Sequence, residues 1–542
     1  MSLLDRIERV GNALPDPATL FVIGAFLVMG ASQLAVTMDW QVEKTITREV
    51  KVPVLDAAGG TVVDPISGEP LMVPALDPST GAARREKVTV PVRPRSLLNA
   101  DGLYWAVSHL VDNFKNFPPL AIVLVGMLGI GLADKSGFIG ALLKAVLVAV
   151  PPRFLTPTVF LVGVLSSIGL DAGYVVLPPV AAALFAAVGR SPLVGLAAVF
   201  AGVSAGFSAN LVVTSLDVIL AGFSTSGAQF LDATYQVPAT ANLAFLRVST
   251  LLLVGVGWAT TAWWVEPRFA RKHAEDGGAS EADPEALRLV DTERKGLRAG
   301  GLTLAVILSV LMLCTWIPGG PLYGDDGRFP RWVAAIVPLI FLAFLLPGLA
   351  YGFRTGSLKS DRDVAKMLGE VMSGMGPYIV LAFFAAQFVE FFRYSGLGEM
   401  SAIAGGGLLA RADLPAPLLM VSFVAVVALS NLFIGSMSAK YAFFAPVFVP
   451  MFMQVGISPE LTQAAYRVGD SITNVITPLN PYLVIILVFM QRYVPRAGIG
   501  TLVALMIPYA VTFFVAWSLL LVAWMLLGIP LGPGGPLEYP PQ

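Results

Sequence analysis

The run Arg467-Val-Gly-Asp-Ser-Ile-Thr-Asn-Val-Ile-Thr-Pro-Leu-Asn-Pro481 places an acid, a base, two Asn, two Thr and a Ser among strongly apolar neighbours. A carboxylate with amide, hydroxyl and free carbonyl oxygens suits a hard cation such as Na⁺. A guanidinium can instead hold a carboxylate bidentately, so Arg467 reads either as an anchor for an anionic substrate or as the neutraliser of Asp470 one turn later. Pro478 and Pro481 have no backbone N–H, so the helix must break here and leave backbone groups free. A second polar run, Ser430-Asn-Leu-Phe-Ile-Gly-Ser-Met-Ser-Ala-Lys440, lies upstream. Two more are Ser166-Ser-Ile-Gly-Leu-Asp-Ala-Gly173 and Gly202-Val-Ser-Ala-Gly-Phe-Ser-Ala-Asn210, with Asp217 beyond.

What positions these residues follows from composition. The chain has 542 residues, 56% hydrophobic and 13% charged. A water-soluble core cannot absorb that apolar share, and several runs approach the roughly 20 residues that cross hydrocarbon, so the chain reads as an all-α polytopic membrane protein. Irregular polar backbone at membrane depth persists only where it lines a cavity or is buried in protein. The expected spans are about 18–38, 105–133, 154–188, 240–265, 300–318, 333–353, 370–394, 417–453 and 498–527, nine in all. Re-entrant hairpins are expected at about 192–227 and 458–490, and short interfacial segments at 138–150 and 397–411. Residues 1–17 read as an amphipathic surface segment with no cleavable signal peptide, and 39–104 as a β-containing external insertion. Residues 266–299 form a loop whose Arg268, Arg271, Lys272 and Arg288, with Arg354 and Lys359 further on, mark the face shared with the N-terminus as cytoplasmic.

An internal repeat organises the rest. Shifting the sequence by 267 positions superposes Tyr174 on Tyr441, Val188-Gly189 on Val455-Gly456, Ser191-Pro192 on Ser458-Pro459 and Ser204 on Ser471, twelve identities in the 31 residues from 174 to 204. Unrelated chains of ordinary composition match at roughly one position in fifteen. The copies fall in a first repeat, 105–265, and a second, 370–527, separated by the connecting spans of 300–353. An odd number of crossings lies between them, so the expectation is an inverted-topology repeat, the first hairpin entering from outside and the second from the cytoplasm.

A carboxylate within a membrane costs roughly 2.5–3.5 kcal/mol even on the lenient insertion scale, so Asp470 calls for a cation, a proton or a buried partner. Asp217 shows no base near it in sequence. Asp171 and Lys440, both in span interruptions, either tie the halves together or meet substrate. Asn431 and Asn474 serve a cation or act as hydrogen-bonding glue. Gly202-Val-Ser204-Ala-Gly206 matches the G-x-S-x-G elbow of serine hydrolases, but neither His109 nor His273 is placed to serve as its base. One cysteine, Cys314, excludes an internal disulfide, and no phosphate-binding G-x-x-x-x-G-K-[S/T] occurs.

The motifs Ser430 to Tyr441, Arg467 to Asn474 and Thr477-Pro-Leu-Asn-Pro-Tyr482, with Gly206 to Asn210, Asp217 and the opening Arg9-Val-Gly-Asn-Ala-Leu-Pro-Asp-Pro17, resemble the p-aminobenzoyl-glutamate transporter (AbgT) family over nearly the whole chain. The resemblance implies a homodimer of the bacterial inner membrane and no enzyme activity. It implies ion-coupled transport of p-aminobenzoyl-glutamate-like folate catabolites or export of sulfonamide antimetabolites. It assigns Asn431, Gly435, Asp470 and Asn474 to a Na⁺ site, and Asp217, Ser438, Tyr441, Pro459, Arg467 and Pro478 to the substrate path, where Asn210, Lys440 and Asp171 are further candidates. Tyr441 stands where some relatives carry Trp. No cofactor is expected beyond Na⁺, or H⁺ in its place, as coupling ion; the partners are a small-molecule substrate and the lipid bilayer, without nucleic acid. The competing function is transport of another organic anion such as a dicarboxylate.

Overall fold

The computed structural model describes residues 17–49, 51–53, 61–63, 70–75, 85–169, 172–270, 272–273, 276–279, 289–326, 329–477, 479–480 and 482–540. The surface segment expected before residue 17 lies outside these, as do Asp171 and Pro478. The described chain is mostly helical. Five helices are long and apolar enough to cross a bilayer: Ala18–Thr37, Leu243–Phe269, Asp291–Trp316, Ile336–Thr355 and Ile499–Leu527. Two bent pairs reach similar length, Leu120–Lys135 with Phe138–Val148 at 58° and Asp361–Gly374 with Gly376–Tyr394 at 45°. Only 6% of the apolar window in Asp291–Trp316 is covered by protein, and Leu302, Val306, Leu313 and Trp316 stand exposed along it. Such a helix is stable where hydrocarbon is the solvent.

Within residues 39–104, Val42–Glu49 pairs antiparallel with Arg85–Val92 (Val42 opposite Val92), and Lys51–Pro53 pairs with Met72–Pro74. Two of the strands cover Lys51-Val-Pro53 and Lys87-Val-Thr-Val-Pro-Val92, with valine alternating along the second.

Eight short helices carry the polar runs: α1 (Leu155–Leu165), α2 (Ala172–Ala187), α3 (Pro192–Phe200, prolonged by a wider turn over Ala201–Ala205), α4 (Ser215–Ala228), α5 (Ala416–Ser430), α6 (Met437–Met453), α7 (Pro459–Ile472) and α8 (Leu483–Gln491). The longest, α6, has 17 residues, about 26 Å at 1.5 Å per residue, short of the roughly 30 Å hydrocarbon layer. They therefore work in pairs, and the pairing differs from the expected one.

α5 and α6 run antiparallel: Phe423 packs on Phe448 at 4.9 Å and on Phe452 at 5.2 Å, while Asn431, just past α5, meets Lys440 in the first turn of α6. In the first copy Gly173 lies so close to Ser166 that a Cβ on it would strike the Ser166 hydroxyl, bringing the start of α2 back to the end of α1. The chain thus turns back within the segments expected to be broken spans, 154–188 and 417–453.

The segments expected to turn back, 192–227 and 458–490, run on instead. α3 starts at Ser191, which donates to Gly277 O, and α4 leads to Tyr235, which donates to Glu460 at the start of α7. α7 starts where Ser458 donates to Pro536 O. α8 ends at Gln491, and Met490 with Val494 just beyond it line, with Leu193 and Phe269, a cavity of about 250 Å³ beside the start of α3. Passage α3–α4 therefore begins at the end of the bundle where α7–α8 finishes.

The repeated residues have local causes. Ser191-Pro192 and Ser458-Pro459 each put Ser at a helix N-cap and Pro in the first turn, where a missing N–H costs nothing. Gly189 (φ 72°) and Gly456 (φ 82°) precede them in left-handed backbone that glycine adopts without strain.

Candidate functional site

Two ion pairs sit in the protein interior where these elements meet. Lys440 Nζ lies 2.7 Å from Asp470 Oδ1, and Arg467 Nη2 lies 2.6 Å from Asp217 Oδ1, with all four side chains at most 4% exposed. The one-turn pair Arg467–Asp470 considered from sequence does not form; each residue takes a partner from another element. Arg467 and Asp470 are three positions apart on α7; α4 supplies the partner of the first and α6 that of the second. Lys440 pairs with Asp470, and its proposed tie to Asp171 lies outside the described residues. Asp217, without a base nearby in sequence, finds one 250 positions away.

Around Asp217 the network is local. Its Oδ2 accepts from Thr214 N at 2.6 Å, Thr214 Oγ1 at 2.8 Å and Asn210 Nδ2 at 3.1 Å. This is a capping box at the start of α4, where the backbone N–H groups favour a negative charge. Thr214-x-x-Asp217 carries that signature in the sequence. Arg467 Nη1 also donates to Ser208 O at 3.2 Å.

Around Asp470 the network draws on α5, α6 and α7. Asn431 accepts from Lys440 Nζ at 2.6 Å and donates from Nδ2 to Asn474 Oδ1 at 2.7 Å and Asp470 O at 2.9 Å. Tyr466, fully buried one turn before Asp470, donates to Met437 O at 2.6 Å and approaches Asp470 Oδ1 at 3.3 Å. Its i−4 spacing was the available signal for a residue the reading missed. Asp470 Oδ2, Asn210 Oδ1 and Arg467 Nε are buried with no hydrogen-bond partner among the described residues. A buried carboxylate oxygen left in that state is costly, and a bound cation or proton would satisfy it.

The two networks touch through the repeat-related serines. Ser208 N donates to Ser471 Oγ at 3.2 Å; Asn474 Nδ2 donates to Ser204 O at 3.3 Å and Asn480 Nδ2 to Ser204 Oγ at 3.2 Å. Ser204 donates to the Tyr174 hydroxyl at 3.0 Å, and Tyr174 stacks on Tyr482 at 4.1 Å. Ser204 is thus held by Tyr174, Asn480 and Asn474 rather than by a histidine, which removes the serine-hydrolase reading of its motif.

The remaining candidates divide. Gly435, exposed in the turn between α5 and α6, sits where a Cβ would lie 3.1 Å from Leu479 O. Ser438 is half-buried in the first turn of α6 and Asn474 is half-buried at the end of α7. Tyr441 is completely buried, its hydroxyl 2.7 Å from Ser224 Oγ. Pro459 starts α7, one residue before Glu460, a third buried acid that the reading missed, which accepts from Tyr235 Oη at 2.9 Å.

The sequence profile described as the "AbgT putative transporter family" matches residues 2–539. The chain belongs to the AbgT family. It is 32% identical over 535 residues to the p-aminobenzoyl-glutamate transport protein of Escherichia coli (strain K12), an alignment covering 97% of this chain and 95% of that one. Among solved structures it is similar to the YdaH transporter of Alcanivorax borkumensis, described as having an unusual topology, with a TM-score of 0.82, 38% identity, and 96% of this chain and all of that one covered. The structure of Neisseria gonorrhoeae MtrF, described with a class of antimetabolite efflux pumps, is likewise similar, with a TM-score of 0.82, 36% identity, and 99% of this chain and all of that one covered. This AbgT-family member is accordingly a membrane transporter and not an enzyme.

Proposed function

We propose that this AbgT-family protein is a secondary transporter that carries p-aminobenzoyl-glutamate-like aromatic acids, or exports sulfonamide-like antimetabolites, coupled to Na⁺. In this reading it works as a homodimer in a bacterial inner membrane with a cytoplasmic N-terminus. The single observation behind the coupling is the orphaned Asp470 Oδ2, buried next to Asn474 where two chain reversals and two broken passages converge. Asp470, Asn474, Asn431 and Gly435 supply hard oxygens, which fit Na⁺. H⁺ is the competing ion, because a lone carboxylate oxygen also accepts a proton.

The five long helices, the two bent pairs and the passages α3–α4 and α7–α8 make nine crossings in this reading. The re-entrant hairpins are α1–α2 and α5–α6. The first then enters from the face of the basic loops and the second from the opposite face, the reverse of the entry expected from sequence. Discontinuous helices meeting near the midplane are how inverted-repeat transporters build their sites. Arg467 is held by Asp217, so a substrate carboxylate that used it would have to share the guanidinium.

Proteoliposomes carrying the protein, given labelled p-aminobenzoyl-glutamate or a sulfonamide under separately imposed Na⁺ and pH gradients, test the reading. A Na⁺ gradient is expected to drive flux, and Asp470→Asn to abolish that drive while the purified protein stays folded. Flux driven by ΔpH alone would make H⁺ the ion; gradient-driven flux undiminished in Asp470→Asn would remove the carboxylate from coupling.

A further inference from the structure

We infer that Lys440 is the residue that makes cation binding depend on the arrival of an anionic substrate, by acting as a counter-charge to Asp470. The inference rests on the proposed cation site and concerns what else must be true of it. Lys440 is completely buried, its ammonium held between Asp470 Oδ1 at 2.7 Å and Asn431 Oδ1 at 2.6 Å. Asp217 is matched by Arg467, so these four charges form two pairs with no net charge, while Glu460 lies ten positions before Asp470 on α7 against Tyr235.

An uncompensated charge is costly in a low-dielectric interior. A site made of Asp470 alone would be neutralised by a single Na⁺ and could carry that ion across without cargo. With Lys440 already on Oδ1, a cation at the free Oδ2 adds one positive charge that nothing in the centre cancels, while an anionic substrate alone adds negative charge that nothing cancels. Bound together, each offsets charge that the other would leave uncompensated. By linkage, each must then raise the other's affinity by the same factor. Asn431 joins both halves of this device, since its Oδ1 takes the ammonium while its Nδ2 orients Asn474 Oδ1.

The test uses the full-length protein in proteoliposomes with ²²Na⁺ as probe. Wild-type protein is expected to show little Na⁺ exchange without substrate. Anionic p-aminobenzoyl-glutamate should lower the Na⁺ half-saturation about tenfold, whereas uncharged sulfanilamide should leave it unchanged. Lys440→Gln should exchange Na⁺ without substrate and bind Na⁺ at least tenfold more tightly, and Lys440→Arg should restore substrate dependence. Equal effects of the charged and uncharged substrates on wild-type protein would overturn the inference even if Lys440→Gln failed to fold. Substrate-dependent Na⁺ exchange retained in a folded Lys440→Gln protein would overturn the role of Lys440 alone. Should protons replace Na⁺ as the driving ion, the same comparisons apply to proton flux. Wild-type flux indifferent to both ions would sink the cation site and this inference with it.

Discussion

Cutting the Arg467–Asp217 pair from its two ends should have unequal costs, and the inequality can be worked from the bonds left behind. Removing one partner of a buried ion pair typically costs about 3–5 kcal/mol, because the survivor keeps its charge without compensation. After Arg467→Met, Asp217 still accepts from Thr214 N, Thr214 Oγ1 and Asn210 Nδ2. Hydrogen bonds to a charged group contribute about 1.5–3 kcal/mol each, so this variant belongs at the lower end, about 3 kcal/mol. After Asp217→Ala, Arg467 keeps only Ser208 O, its Nε is already unpartnered, and α4 also loses its capping box, typically about 1 kcal/mol. That variant belongs at about 5 kcal/mol or above. The double variant orphans neither charge and should fall short of the summed single costs by about 2–3 kcal/mol. Thermal unfolding of the four purified proteins in one detergent gives the ranking: wild type, Arg467→Met, then Asp217→Ala together with the double variant. Additive costs, or Arg467→Met as the least stable, would refute the assignment of the pair.

Two further substitutions probe the elements around it. Asn474→Ala removes an amide oxygen beside Asp470 and should raise the Na⁺ concentration for half-maximal transport roughly tenfold, as expected for one lost polar ligand of about 1.4 kcal/mol; an unchanged Na⁺ curve would remove Asn474 from the site. Gly469→Ala places a Cβ 2.5 Å from Val424 O and 2.7 Å from Val427 Cβ, forcing α7 off α5. A loss of about 1–3 kcal/mol is expected, read as a lower unfolding midpoint, whereas a wild-type midpoint would show that the helices separate freely.

The sequence made some of this visible and hid the rest for identifiable reasons. Asp470, Asn431 and Asn474 stood out because polar residues are rare in apolar surroundings, and Ser191-Pro192 and Ser458-Pro459 because a helix start needs a cap. The partner of each charge was hidden: Asp217 and Arg467 are 250 residues apart, and no local pattern encodes that meeting. The choice of reversing segment was hidden too. A short apolar helix, a polar break and another short apolar helix look the same whether the chain continues or turns back. Exchanging a hairpin with its neighbouring broken span also preserves the number of crossings, so the positions of basic loops cannot distinguish them. What decides is packing, such as Gly173 against Ser166, which a composition window does not see.

The distance along the chain between Asp217 and Arg467 is also an interval of time. At roughly 5–20 residues per second of synthesis, the 250 residues between them take about 12–50 s to make. During that interval the acid has been synthesised and its base has not. Thr214 and Asn210, made within seconds of it, are the only partners in its network already on hand. The capping box thereby acts as a temporary custodian of the charge during biogenesis, and weakening it should lower the yield of inserted protein more than the stability of what is finally assembled.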